Sequence, residues 1–168
     1  TYVLACEYPT SRNSDQINIE NGHSVSFDNV NITVDQFIIE NGGQLTIEPS
    51  GELILNDGNP AGADLVINGT LQDNGNITNG VDYNGFATWE LGPNGTIIKT
   101  NTSSVSRYRD NYESGISNIP ATANWIYRRE AANDVSVASV GMTYPNLTFE
   151  NNQSGTYDPV NAQYFFQG

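Results

Sequence analysis

A nine-residue phrase occurs twice near the start of the chain, and it constrains the fold more than any other feature of the sequence. Residues 19–27 read Ile-Glu-Asn-Gly-His-Ser-Val-Ser-Phe, and residues 39–47 read Ile-Glu-Asn-Gly-Gly-Gln-Leu-Thr-Ile. The step from the first copy to the second, from position 19 to position 39, also brings Ile17 onto Phe37. A repeat of this length is typical of solenoids, in which each coil buries its inner face against its neighbours.

A second pair of segments lies between these copies and behaves in the same way. Ile32 and Val34 correspond to Leu53 and Leu55 at a nearly equal step. Each segment alternates apolar and polar residues, which is the pattern of a strand with one buried face. The repeat therefore predicts more than one strand in each coil.

The same spacing predicts how the apolar columns continue. When the step of the repeated phrase is applied once more, Leu65 falls in line with Leu45, and Ile67 falls in line with Ile47. We therefore expect Leu65 and Ile67 to extend the columns that Val25 and Phe27 begin.

Turns separate these strands, and the turn sequences are compatible with two architectures. Asn-Gly pairs favour tight turns and are also the strongest short-range signal for β-hairpins, so an antiparallel β-sandwich is the alternative. A sandwich gives no reason for apolar columns to recur at a regular interval, whereas stacked coils do. We therefore predict an all-β fold, a right-handed parallel β-helix or solenoid. The Asn-Gly pairs include Asn21-Gly22, Asn41-Gly42, Asn68-Gly69 and Asn94-Gly95.

The regular spacing of apolar residues ends after about residue 98. Residues 100–124 are polar and irregular, which predicts a long loop inserted between coils. Strand patterns return at residues 125–127, 135–138 and 146–149. With 168 residues the chain fits one domain, so we expect a single solenoid domain over residues 1–168.

Three phrases of the sequence, at residues 39–47, 66–71 and 144–149, carry a family resemblance. They resemble turn-strand phrases of secreted cell-surface proteins of Bacteroidetes-type bacteria, which form right-handed parallel β-helices and often use type IX secretion. The first half also resembles the glycine-rich eight-glycine domain of extracellular proteins. The resemblance implies export, display on the cell surface and adhesion, within a longer surface protein. It supplies no catalytic residues.

The charge balance narrows the possible partners. Six basic residues stand against 19 acidic ones, for a formal net charge of −13. Such a chain repels nucleic acid and anionic membranes, so we expect neither nucleic-acid binding nor membrane insertion. Surface glycans or other surface proteins are the expected partners, and self-assembly through the solenoid ends is a further possibility.

The basic residues are concentrated in one region. Residues 1–98 carry 13 acidic side chains and one Arg, whereas residues 99–130 hold five of the six basic groups, interleaved with aromatic residues. Arg guanidinium groups bind carboxylates through paired hydrogen bonds, and aromatic faces stack on sugars, so this region predicts a site for an acidic glycan. The alternative is that the rings cover the flank of the solenoid while the Arg side chains pair with its acidic surface. The residues predicted for the glycan site are Arg107, Arg109, Tyr112, Trp125, Tyr127, Arg128 and Arg129.

The remaining chemistry is sparse. His23 is the one histidine, and the chain has no nucleophile elbow to accompany it, so we interpret it as a solvated turn residue. A loop with Asp57, Asn59 and Asp64 offers oxygen ligands that suit Ca²⁺, which is the one cofactor considered. An ordinary Asx-rich turn is the alternative.

These observations predict a non-catalytic structural or adhesive segment of a secreted bacterial surface protein or extracellular fibre. A glycan-binding module is the first alternative. A β-helix polysaccharide lyase or hydrolase, with Arg107 or Arg109 as base and Ca²⁺ clamping the substrate, is the second.

Overall fold

The structure, a computed structural model, describes residues 16–56, 63–79, 89–100, 120–130, 143–144, 146–151 and 165–166. Every regular element in these ranges is a β-strand. The strands are β1 (Ile17–Ile19), β2 (Ser24–Phe27), β3 (Asn31–Val34), β4 (Phe37–Ile39), β5 (Gln44–Ile47), β6 (Glu52–Leu55), β7 (Leu65–Ile67), β8 (Thr70–Asp73), β9 (Asn76–Asn79), β10 (Trp89–Leu91), β11 (Thr96–Thr100), β12 (Asn124–Arg129), β13 (Thr143–Tyr144), β14 (Asn146–Asn151) and β15 (Phe165–Phe166).

The strands form a β-solenoid of about four turns. Sheet A contains β1, β4, β7 and β10 in that order, and sheet C contains β3, β6 and β9. Sheet B is the largest, with the order β2, β5, β8, β11, β12 and β14, and β13 pairs with β15 separately. From β1 to β11, successive strands along the chain thus enter different sheets, and each coil lies on the one before it.

All the strand pairings in the described residues are parallel, which confirms the solenoid and excludes the sandwich. The first two coils have the predicted register: Ile17 pairs with Phe37, and Val25 pairs with Leu45. The Asn21-Gly22 turn joins β1 of sheet A to β2 of sheet B, so it turns a corner of the coil and does not reverse the chain.

The predicted continuation of the columns at Leu65 and Ile67 is wrong. Leu65 pairs with Phe37 in sheet A, which is a longer step along the chain than the one from Ile17 to Phe37. Leu45 pairs instead with Leu71, and the partner of Ile47 is a charged residue, Asp73. The reason is that hydrogen bonding holds the strands of neighbouring coils in register, while the turns between strands are free to differ in length. A constant step would require equal turns in every coil.

The hydrophobic core is a set of inward-facing columns that run along the stack. One column of sheet B comprises Val25, Leu45, Leu71, Ile97, Trp125 and Leu147. The four residues from Leu45 to Trp125 are fully buried. Burial of each such side chain stabilises the fold by about 1.5–3 kcal/mol before conformational entropy is counted. The coils therefore share one core, as stacking requires.

The corner between sheets A and B is tightly packed. The N–H of Thr70 donates to the carbonyl of Gly43 (3.0 Å), and the N–H of Thr96 donates to that of Gly69 (2.8 Å). A Cβ atom on Gly69 would collide with the carbonyl oxygens of Glu40 and Gly43. Glycine at this corner thus allows one coil to lie directly on the next.

Two predicted features of the second half lie largely outside the described residues. β11 ends at Thr100 and β12 begins at Asn124, and the two strands are direct neighbours in sheet B. Most of the predicted inserted loop, at 100–124, and the predicted strand at 135–138 fall in ranges that the structure does not describe. The extent of the domain over residues 1–168 stays a prediction.

Candidate functional site

The structure separates the described members of the predicted glycan site. Arg107, Arg109 and Tyr112 lie outside the described residues. Trp125 and Tyr127 occupy inward positions of β12, and both are 0 % exposed. These two rings are core residues, and neither presents a face on which a sugar could stack.

The buried rings form a continuous aromatic row inside the solenoid. The centroids of Trp89 and Trp125 are 5.9 Å apart, and those of Trp125 and Tyr127 are 6.2 Å apart. Tyr127 stacks on Phe149 of the next coil, with centroids 5.8 Å apart and an interplanar angle of 16°. Such pairs add about 0.5–1.5 kcal/mol beyond the area they bury. The row explains Trp125 and Tyr127, the described aromatic residues of β12, as core packing.

Arg128 faces outward, because side chains alternate along β12 and its neighbours Tyr127 and Arg129 take the inward positions. Its Nε donates to Oε2 of Glu150 at 2.6 Å, and Oε1 of Glu130 is 3.8 Å from the same nitrogen. Arg128 and Glu150 are direct neighbours across the β12–β14 ladder. The guanidinium is therefore already engaged by carboxylates of its own chain. Arg129 is on the inward side and is 9 % exposed.

Sequence reasoning missed a second charged pair, which lies inside the solenoid. Asp73 and Lys99 are direct neighbours in the β8–β11 ladder, in the column that also contains Ile47 and Tyr127. Nζ of Lys99 lies 3.6 Å from Oδ2 of Asp73, and the side chains are 10 % and 0 % exposed, respectively. Burial lowers the pKa of Lys99, and the negative charge of Asp73 partly opposes that change.

The sequence contains both residues of this pair, but a constant step between coils aligns Ile67, and not Asp73, with Ile47. Continuing the column of Ile47 to position 73, as the ladder does, would have placed a carboxylate at an inward position. The sequence instead groups Lys99 with the Arg residues of positions 99–130, which hold five of the six basic groups. Its ladder partner is known only from the register of the coils.

The predicted calcium ligands stay a prediction as a set, because the structure describes only one of the three. Asp57 and Asn59 lie outside the described residues. Asp64 is buried, and its backbone carbonyl accepts a hydrogen bond from the N–H of Phe37 at 2.8 Å. The described ranges contain no group of three or more His, Cys, Asp or Glu side chains placed to hold a metal.

His23 is exposed, as predicted for a turn residue. The backbone N–H of His23 donates to the backbone carbonyl of Glu20 at 3.1 Å, and the backbone carbonyl of His23 accepts from the N–H of Gln44 at 2.9 Å. The backbone of His23 thus belongs to the corner between sheets A and B, one coil below Gly43. Its role in the described structure is to close that corner.

Comparisons with protein-family models, curated proteins and solved structures found nothing that matches this chain. Within the described ranges, no helix has the length and hydrophobicity that a membrane crossing requires. The function is therefore inferred from the solenoid and from the side chains that it places at the surface and in the core.

Proposed function

We propose that the chain is a non-catalytic structural or adhesive segment, a rigid spacer within a secreted bacterial surface protein or extracellular fibre. The observation that supports this most is the six-stranded parallel ladder of sheet B, which continues through all the described coils without a change of direction. Its secretion and surface location are inferred from the family resemblance and from the acidic composition.

A stack of this kind suits a spacer for a physical reason. Neighbouring parallel strands are about 4.8 Å apart, so the five steps from β2 to β14 extend sheet B by about 24 Å. Each coil is joined to the next through three sheets where all are present, and through a shared core. Bending the stack would break hydrogen bonds and open the core at the same time, which makes it stiff.

The outer surface is consistent with a solvated, non-aggregating segment. Glu20, Glu40 and Glu48 each follow directly after a strand, and thus lie at the corners of the coils. Charges at such places discourage sideways pairing with other sheets. We infer that contacts with other molecules are made at the ends of the stack or on its loops.

A glycan-binding module is the competing proposal, and partial exposure of Arg128 is the observation that favours it. The side chain is 22 % exposed and already paired with Glu150. A glycan carboxylate would have to replace an intramolecular partner at 2.6 Å. No described residue favours the lyase or hydrolase alternative.

A glycan array, with and without calcium, distinguishes the spacer from the glycan-binding module. We expect no binding to acidic or neutral glycans in either condition. The decisive variant is Arg128→Ala, with the exposed Thr148→Ala on the neighbouring strand as the matched control. Binding that is abolished in the first variant and retained in the second would contradict the spacer proposal.

A single-molecule pulling experiment tests the mechanical property directly. With the chain held at its two ends, we expect unfolding in steps as coils leave the stack. One coil of the solenoid, counted between paired positions of sheet A, should release about 70–95 Å of chain. These positions are Ile17 and Phe37 for one coil, and Phe37 and Leu65 for the next. Smooth extension at low force, without steps, would show that the stack does not act as a rigid element.

A further inference from the structure

Lys99 and Asp73 form a charged pair inside the solenoid. They are direct neighbours on parallel strands, at consecutive positions of one inward column. Ile47 lies on one side of the pair in that column, and Tyr127 lies on the other. An amine and a carboxyl group are therefore held together, away from bulk water, by a backbone that fixes their separation.

This arrangement favours condensation of the two groups. For well-oriented groups within one molecule, effective concentrations reach about 10⁵–10⁸ M. Burial also shifts Lys99 toward the neutral amine, which is the nucleophilic form. Replacing two buried charges with one neutral amide removes the desolvation cost that the ion pair carries.

We propose that Lys99 and Asp73 become joined by an intramolecular amide bond between Nζ and Cγ. The amine attacks Cγ of the carboxyl group, the N–C bond forms, and one C–O bond breaks. The ammonium and the carboxylate together contain the atoms of the amide and one water molecule, so no oxidant or other reactant is required. One ammonium proton remains on the amide nitrogen, and the other two leave with the carboxyl oxygen as water.

The bond would connect β8 to β11 covalently, across neighbouring coils of sheet B. The stack could then not separate at this step by breaking hydrogen bonds alone. This would strengthen a spacer, but the inference does not depend on the proposed function, because it concerns a contact inside the core. A negative result for the bond would leave the spacer proposal intact.

The sequence makes the test simple, because Lys99 is the only lysine in the chain. The folded, purified full-length chain is denatured, its intact mass is measured, and it is digested with a lysine-specific protease. We expect the mass to be lower than that of the sequence by one water molecule. We also expect no cleavage after residue 99, because an acylated lysine is not recognised.

Asp73→Ala is the matched control, since it keeps Lys99 and removes the acyl partner. It should have its full sequence mass and be cut once, whether or not it folds, because the digestion is done on denatured chain. Full mass and one cut in the unaltered chain would overturn the proposal. A water loss accompanied by cleavage at Lys99 would also overturn it, since the water would then have come from another site.

Discussion

At the residue scale, alternation along a single strand assigns opposite roles to neighbouring side chains. Trp125 and Tyr127 point into the core, and Arg128, next to Tyr127, points out. A cluster of aromatic and basic residues in a sequence therefore need not form one surface. In a strand, such a cluster is divided between the two faces of the sheet.

Trp125→Ala tests the assignment of this ring to the core. We expect the free energy of unfolding to fall by about 3–5 kcal/mol, because the substitution leaves a large cavity next to Trp89 and Tyr127. Denaturant unfolding followed by circular dichroism measures the change. Ile126→Ala on the outward side of the same strand is the control and should cost less.

A variant Trp125→Ala that kept full stability and lost only glycan binding would contradict the core assignment. Because Trp125 is buried, its replacement lowers stability along with any binding. Arg128, whose side chain is partly exposed, is the better residue for testing a binding site.

At the scale of elements, the corners determine how closely the coils approach. Gly69 and Gly22 both belong to Asn-Gly turns, but the structure places different demands on them. A Cβ on Gly69 would collide with backbone carbonyls of the preceding coil, whereas around Gly22 there is open space. Gly22 is instead required by its φ of +79°, which L-residues adopt at a cost.

The two glycines therefore predict different responses to alanine. Gly69→Ala should lower the free energy of unfolding by about 3 kcal/mol, because backbone atoms on both sides must move. Gly22→Ala should lower it by about 1 kcal/mol, which is the cost of the left-handed conformation alone. Chemical denaturation of both variants checks the order; equal losses would mean that the coils are not in close contact at Gly69.

At the scale of the whole molecule, the described core is continuous along the stack, but burial differs between positions of its first coil. Val25 begins the longest column of sheet B and is 37 % exposed, whereas the next member, Leu45, is fully buried. In the same coil, Val34 of sheet C is also fully buried. Two valines of one coil therefore differ in burial according to the sheet that each belongs to, so residue type alone does not decide how much a side chain contributes.

The same substitution at these two valines measures that difference. Val34→Ala should destabilise the fold by about 2 kcal/mol, because it removes fully buried methyl groups. Val25→Ala should cost about 0.5 kcal/mol or less, because its side chain keeps much of its contact with water in the folded state. Thermal unfolding of the two variants under identical conditions gives the comparison. A cost at Val25 as large as that at Val34 would show that the Val25 side chain is covered in solution.

Periodicity in the sequence alone predicts the class of fold and the register of the first coils. Repeated apolar positions at Ile17/Phe37 and Ile32/Leu53 specify stacked parallel strands, because coils must bury their inner faces against one another. It also identified His23 as an exposed turn residue. These features are local or repeat at short range, so periodicity reveals them.

Beyond the second coil, the residues that meet are known only from the folded structure. Turn lengths vary freely, so Leu65 joined the column of Phe37, and Asp73 came to face Lys99. The depth of Trp125 and the pairing of Arg128 with Glu150 follow from the same registers. Composition indicates which residue types are present, but hydrogen bonding between coils determines which of them are neighbours and which face the solvent.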